Sequence, residues 1–343
     1  KNFAIAKKYK IDGIITLCSE LAVPLVAKIS KLLNLNNISP QTASLATDKI
    51  KMKRQLLKYG VKTPAFNVIK NKTDFLKFSK ENDYPLVLKP SNLFGQIGVQ
   101  LIKNSRDISK KIKLSIKLST NNKAIIEKYY KGKEINIVAL VQNKEIFFLS
   151  FSYRITNDKN FGIATEHLYP VKMSKKNIKR LKELCYSSIE ALKIENGIIY
   201  PQVIFSNGQF YLIEIATRIP GGFMRELSML ASGIDPIEFL IYQSLGIKDS
   251  LKICQKRKKY NSINIKFFTK LHFKKKRNIK KIQGLDLARK SKGIYDVKFN
   301  NLKKIPYLKS SRDRFGAIIA CGISPKNAKK NLEISENKIS FSF

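Results

Sequence analysis

Apolar positions recur at three- and four-residue spacing over Leu21–Leu33 and again from Thr42 to Tyr59, which predicts two amphipathic helices. Gly60 follows as a helix stop. Ahead of them a helix-like opening leads into the strand-length apolar run Ile11–Leu17. Further on, the pattern predicts a helix over Thr73–Asn82, strands over Tyr84–Lys89 and Val99–Lys103, and a helix over Ile108–Leu118. The runs "KAIIEKYY" and "EINIVALVQNKEIFFLSFSYRI" predict consecutive strands, with Asn143-Lys144 as a hairpin turn. Asn177–Leu192 has helical spacing. "NGIIYPQVIFSNGQFYLIEIATR" predicts two strands joined at Asn207-Gly208, a strong hairpin signal. Ile237–Leu245 is helical in pattern. Beyond Cys254 short strands dominate, closing on "FGAIIACGISPKNAKK", a strand that turns into a helix.

This order of elements predicts an α+β chain built around antiparallel sheet. At 343 residues it exceeds one ordinary core, so two or three domains are expected. Hydrophobic residues make up 43%, which suits a globular protein and excludes a disordered one. No apolar stretch reaches the ~18 residues of a membrane span. The chain opens on Lys1 with a helix-like segment already under way and no signal-peptide pattern, which reads as a chain lacking its original N-terminus. Four widely separated cysteines without a CxxC pair, and only two histidines, argue against a zinc site and a disulfide scaffold. A reducing cytoplasm fits that usage.

Charge complicates the picture. Lys and Arg number 66 against 25 Asp and Glu, a net +41, which points toward anionic partners. The excess is mostly lysine spread along the whole chain, as an A/T-rich coding bias would produce. Its densest clusters, Lys256–Lys259 and Lys274–Arg277, read as solvated surface, so nucleic acid is a partner only through non-specific charge.

The candidate chemistry begins at "YPLVLKPSNLFGQIGVQLI" (Tyr84–Ile102). A buried-looking strand ends in Lys89, a turn carries Gly95 and Gly98, and a second apolar run follows. Glycines of this kind let backbone N–H groups approach an anion closely. No GK[ST] follows, so this is not a Walker A loop. Glu127 and Glu134 interrupt apolar strands, either as ligands or on an exposed strand face. Glu214 stands alone at the centre of "YLIEIATR", with Gln202 opposite it across the Asn207-Gly208 turn. Two such oxygens suit Mg²⁺ completed by phosphates, and a buried Glu–Arg pair with Arg218 is the plainer alternative.

The ordered set Asp48-Lys49, Lys89 with its glycine loop, Glu127-x-x-Tyr130, Glu134, Gln202, Glu214 and Arg218-x-x-Gly221-Gly222 resembles the ATP-grasp superfamily, from about Ile11 to the C-terminus. The branch it resembles most is the carboxylate–amine ligases, related to biotin carboxylase, carbamoyl phosphate synthetase and D-alanine–D-alanine ligase. The resemblance implies ATP and Mg²⁺ (or Mn²⁺) as cofactors. It casts Lys49 and Lys89 as phosphate-contacting lysines, and Gly95–Gly98 as a mobile lid over the phosphates. Glu127 and Tyr130 fall in the adenine hinge, Glu134 at the ribose position, and Gln202 and Glu214 at the metal. Arg218, with Lys89, is cast as catalytic. The chain departs from the pattern at Ala216, where the family's second metal strand usually carries Asn; Thr217 or water would have to substitute.

Residues 1–63 are expected to form a truncated α/β N-terminal (pre-ATP-grasp) domain, 64–128 a small lid subdomain, 129–250 a larger antiparallel-sheet subdomain, and 251–343 a β-rich part completing the ligase. The implied reaction activates a small-molecule carboxylate as an acyl phosphate, and an amine then displaces phosphate. No membrane partner is expected, and a homodimer is compatible. The rival reading, motivated by Ala216 and the charge, is a catalytically weakened ATP-grasp protein that binds nucleotide or nucleic acid. Arg312 and Arg314 in "YLKSSRDRFGAIIACG" face either the acid substrate or phosphate, or solvent.

Overall fold

A computed structural model gives the fold and describes residues 1–157, 160–273, 278–301 and 304–343; the basic run Lys274–Arg277 lies outside them. Four helices open the chain: α1 (Asn2–Lys8), α2 (Ala22–Leu32), α3 (Pro40–Thr47) and α4 (Lys49–Lys58). The helix expected over Thr42–Tyr59 is therefore two. Asp48 breaks it in extended backbone and caps α4, its carboxylate accepting from the Ile50 and Lys51 amides. The strand expected at Ile11–Leu17 is only an extended segment, joined by a single parallel bridge from Leu17 to Ile219. The stretch has strand composition, but among the described residues no strand pairs with the rest of its length.

A four-stranded antiparallel sheet follows. Its strands are β1 (Phe66–Ile69), β2 (Leu86–Pro90), β3 (Gln100–Ile102) and β4 (Ala124–Lys128), in the order β1-β4-β2-β3. Helices α5 (Lys72–Glu81) and α6 (Ile108–Leu118) cover one face, burying Phe75, Phe78 and Ile112 against Leu86, Leu88 and Ile126.

The larger sheet has eight strands. Its first five, β5 (Lys133–Gln142), β6 (Glu145–Asn157), β7 (Asn160–Tyr169), β8 (Gly197–Ser206) and β9 (Gln209–Ala216), are interrupted by helix α7 (Lys175–Ala191). Three helices come next: α8 (Met224–Ser232), α9 (Pro236–Ser244) and α10 (Ser250–Ile253). The remainder is β10 (Ser262–Phe268), β11 (Lys281–Gln283), α11 (Leu285–Arg289), β12 (Ile294–Phe299), β13 (Gly316–Gly322), α12 (Pro325–Glu336) and β14 (Ser340–Ser342). Strands run β12-β13-β10-β7-β6-β5-β8-β9, every pair antiparallel, so chain beyond residue 250 completes the same sheet. Both expected hairpin turns form: Asn143 and Lys144, and Asn207 and Gly208, all have positive φ. The α+β architecture read from the sequence is the architecture found.

The two faces of this sheet bury different things. One packs Ile135, Ile137 and Val203 on Leu181 and Ile189 of α7 and Leu56 of α4. The other packs Val138, Leu140 and Ile198 on Leu227 and Leu230 of α8 and Phe239 of α9. Farther along that second face apolar residues give way to polar ones. Glu214, Gln202, Asn136 and Ser152 are direct cross-strand neighbours over β9, β8, β5 and β6. In the adjoining row Glu134, Arg154 and His167 are neighbours over β5, β6 and β7. A polar band inside a closed sheet face costs desolvation unless something occupies it, and this band floors a cleft.

Candidate functional site

The cleft lies between the two sheets. Its upper wall is built by β2, β4 and α4. The Asp48 cap fixes where α4 begins, and Lys49 and Lys53 then project one turn apart. The Lys49 ammonium donates to the Leu93 carbonyl at 2.6 Å and stands 3.4 Å from Glu214 Oε2. Lys53 is 0% exposed; its Nζ donates to Thr63 Oγ1 at 2.6 Å and lies 3.2 Å from Glu127 Oε1. Lys89 Nζ reaches the same oxygen at 2.8 Å. One carboxylate thus holds two ammonium groups, with Lys89 and Glu127 only 5% and 3% exposed. Lys89 is therefore a buried charge of the cleft wall.

Electrostatics follow from this packing. Burial pushes the Glu127 carboxyl up, but Lys53 and Lys89 outweigh it and hold the group below its ordinary value. Burial drives Lys53 down to about 8, only partly offset by Glu127. At Glu214 burial again acts upward, and Lys49, Lys89 and Arg218 together leave it lowered.

Most of the candidate residues read from the sequence meet here. Lys49, Lys89, Gly95, Glu127, Tyr130, Glu134, Gln202 and Glu214 line one cavity of about 90 Å³. Glu134 pairs with Arg154, and Tyr130 stacks on Tyr211 at 4.0 Å between ring centroids. The metal candidates Gln202 and Glu214 sit directly opposite each other in the β8–β9 register. Gly98 lies behind this wall: at φ +72° it turns the chain against Pro90 and Leu118. Arg218 lines an adjoining cavity of about 250 Å³, shared with Lys49, Gln202 and Glu214. There its Nε donates to Glu20 Oε2 at 2.7 Å. Thr217, a conceivable stand-in for the missing Asn, faces neither chamber; it lines a separate cavity beside α9.

Sequence reasoning missed Lys53, Glu20, Arg154 and His167. Lys53 had a signal: on α4 it falls between Ile50 and Leu56 on the buried stripe, where a lysine is out of place. His167 is 3% exposed, with Nδ1 3.3 Å from Asn136 Nδ2. Burial, reinforced by Arg314 and Arg154, holds it well below the usual imidazole value, hence neutral. Arg312 and Arg314 both line the larger of these two cavities, Arg312 at its exposed rim.

The donor set bears on a metal. Glu214 is an ionised carboxylate beside an amide oxygen, and the Lys49 ammonium already marks a cation position 3.4 Å away. Two oxygen donors suit Mg²⁺ that takes its remaining ligands from phosphate and water. Ala216 adds none. Among the described residues no cluster of three or more His, Cys, Asp or Glu could hold an ion unaided. All four cysteines are free, and among the described residues no helix is long and apolar enough to cross a membrane.

Residues 82–226 match the ATP-grasp domain family. The chain is 30% identical over 197 residues to a D-alanine–D-alanine ligase from Pelagibacter ubique, covering 55% of this chain and 62% of that protein. It is 26% identical over 235 residues to a phosphoribosylamine–glycine ligase from Fusobacterium nucleatum, covering 64% of this chain and 55% of that one. It therefore spans less than two thirds of either relative. Among solved structures, an L-amino acid ligase from Bacillus licheniformis superposes with a TM-score of 0.82 at 20% identity, over 99% of this chain and 82% of that one. The matched stretch, residues 82–226, carries Lys89 on β2, Glu127 on β4, Gln202 on β8 and Glu214 on β9 and matches an ATP-grasp domain, and the chain as a whole shares the fold of that amino acid ligase.

Proposed function

We propose that the chain is an ATP-dependent carboxylate–amine ligase that releases ADP and phosphate. The observation that carries this reading is the joining of two chambers at Glu214. One holds Lys49, Lys89 and Glu127 around a space for phosphates; the other holds Arg218 beside room for a small acid. In the proposed reaction a carboxylate oxygen of the acid attacks the γ-phosphorus and ADP departs with the electrons of the broken P–O bond. The amine then attacks the acyl carbon, the C–O bond to phosphate breaks, and the amine gives up a proton.

Little covalent help is needed. Lys89 neutralises phosphate charge, with Lys53 behind it balancing Glu127; Lys49 bridges the two chambers, and Arg218 stabilises charge developing at the acyl centre. Gln202 and Glu214 would hold Mg²⁺, which supplies further charge neutralisation at the phosphates. Residues 64–128 act as the lid in this reading, and Tyr130 and Glu134 border the nucleoside. In support, the glycine loop touches the far wall: Gly95 O accepts from the Ser311 amide at 3.1 Å, and Arg312 packs over Phe94. Full assembly of both chambers favours a working enzyme over a weakened binder. The test is ADP release across a matrix of small acids and amines with Mg²⁺ and ATP. Turnover that needs both an acid and an amine supports ligation; ATP binding with no ADP from any pair overturns it.

A further inference from the structure

Arg218 stands just beyond the end of β9, on no strand. What holds that stretch is the extended segment before α2. Leu17 pairs with Ile219 in a single parallel bridge, and the Cys18 amide donates to the Ile219 carbonyl at 3.1 Å. The same carbonyl accepts from Arg218 Nη1 at 3.3 Å. Glu20 completes the clamp: its Oε2 accepts from Arg218 Nε at 2.7 Å, across 198 residues of chain.

This is not a solvated surface pair. The Arg218 and Glu20 side chains are 11% and 12% exposed, and both line the larger chamber. Shielded from water, the contact escapes the screening that makes exposed pairs weak. With Nε and Nη1 both committed, Nη2 makes no hydrogen bond among the described residues. A planar guanidinium tied at two of its nitrogens keeps one orientation and has the third to offer. Tied at Nη1 alone, it could pivot. The neighbouring carboxylate at this junction, Glu214, already has Lys49 at 3.4 Å.

Building on the ligase reading, we propose that Glu20 is a positioning residue: it fixes the Arg218 guanidinium with Nη2 left for the acyl centre, and it acts through Arg218 without touching a substrate. The segment of residues 17–20 is then part of the reaction site.

Kinetics of single and double variants test this. Glu20→Ala should lower kcat about 100-fold, the scale of a ~1 Å misplacement, with KM for ATP held within about twofold. Glu20→Gln keeps an oxygen that accepts from Nε, so its kcat should stay within about tenfold of wild type. Arg218→Lys keeps the charge and loses the fork. Adding Glu20→Ala to it should cost less than about threefold more, because no guanidinium remains to be oriented. A purely structural tie, or a direct contact of Glu20 with substrate, predicts that the two losses multiply. Multiplied losses, or a Glu20→Ala enzyme with wild-type kcat, overturn the proposal. One measurement needs no turnover. In ¹H–¹⁵N spectra of the full chain, the Nε–H signal lost in Arg218→Lys should shift in Glu20→Gln. A missing signal, or one that Glu20→Gln leaves unmoved, overturns the contact. The ligase reading fails separately, when the wild type yields no ADP with any acid and amine; the spectra still decide the pair.

Discussion

The two walls of the cleft handle charge in opposite ways. On the wall built by α4, β2 and β4, Lys53 and Lys89 are buried and share one carboxylate, Glu127. On the wall built by the 310–314 segment, Arg312 and Arg314 pair with no carboxylate among the described residues. A set that satisfies itself keeps its shape between ligands, and breaking it leaves a buried charge. A set left unsatisfied contributes little to the fold and waits for its counter-charge from outside. In the proposed reaction the first wall serves the part of a ligand that never varies, a polyphosphate.

The largest expected effect lies where the walls meet. Glu214→Gln removes charge without volume, so ADP formation should fall to background while circular dichroism and the melting curve stay close to wild type. Turnover persisting in that variant would remove Glu214 from the chemistry. Next comes stability. Glu127→Gln strands Lys53 and Lys89 in a buried site and should cost about 3 kcal/mol in denaturant unfolding. Arg312→Gln should cost less than ~0.5 kcal/mol, as exposed substitutions do. Equal losses would erase the contrast between the walls.

Lys89→Met should weaken ATP binding by about 2 kcal/mol in calorimetry, the scale of a charge-assisted hydrogen bond lost in a shielded site. Unchanged affinity would return phosphate binding to other groups. The smallest effect is on pH. With Lys53 near 8 in the folded protein, ATP affinity should decline between pH 7 and 9, and Lys53→Met should flatten that decline. The sign for stability is opposite. The folded value lies below the ordinary 10.5, so the unfolded chain binds more protons between about 8 and 10.5, and Lys53's contribution grows as pH rises through that window.

Local signals in the sequence carried far into the fold. Asn143-Lys144 and Asn207-Gly208 specify their hairpins through left-handed backbone, and the second hairpin alone places Gln202 against Glu214. What needs distant strands was not legible. Arg154 and His167 reach the cleft because β7 pairs β6 on one side and β10 on the other, a neighbourhood no local pattern encodes. Lys53 was concealed among the many lysines of a chain with net charge +41. Only its place on the buried stripe of α4 sets it apart from Lys51, which reaches Ser44 at the surface. The break at Asp48 was missed because helical spacing runs through it; its capping side chain decided the matter.

Oxygen tracing tests the central claim most directly. The acid that supports turnover is labelled with ¹⁸O in its carboxylate and incubated with ATP, Mg²⁺ and the amine, and the released phosphate is weighed by mass spectrometry. If the acid is activated by phosphoryl transfer, each phosphate released carries one oxygen from the labelled carboxylate, in step with ADP formed. Unlabelled phosphate at full turnover would contradict the account, because the γ-phosphoryl group would then have gone to water and not to the acid.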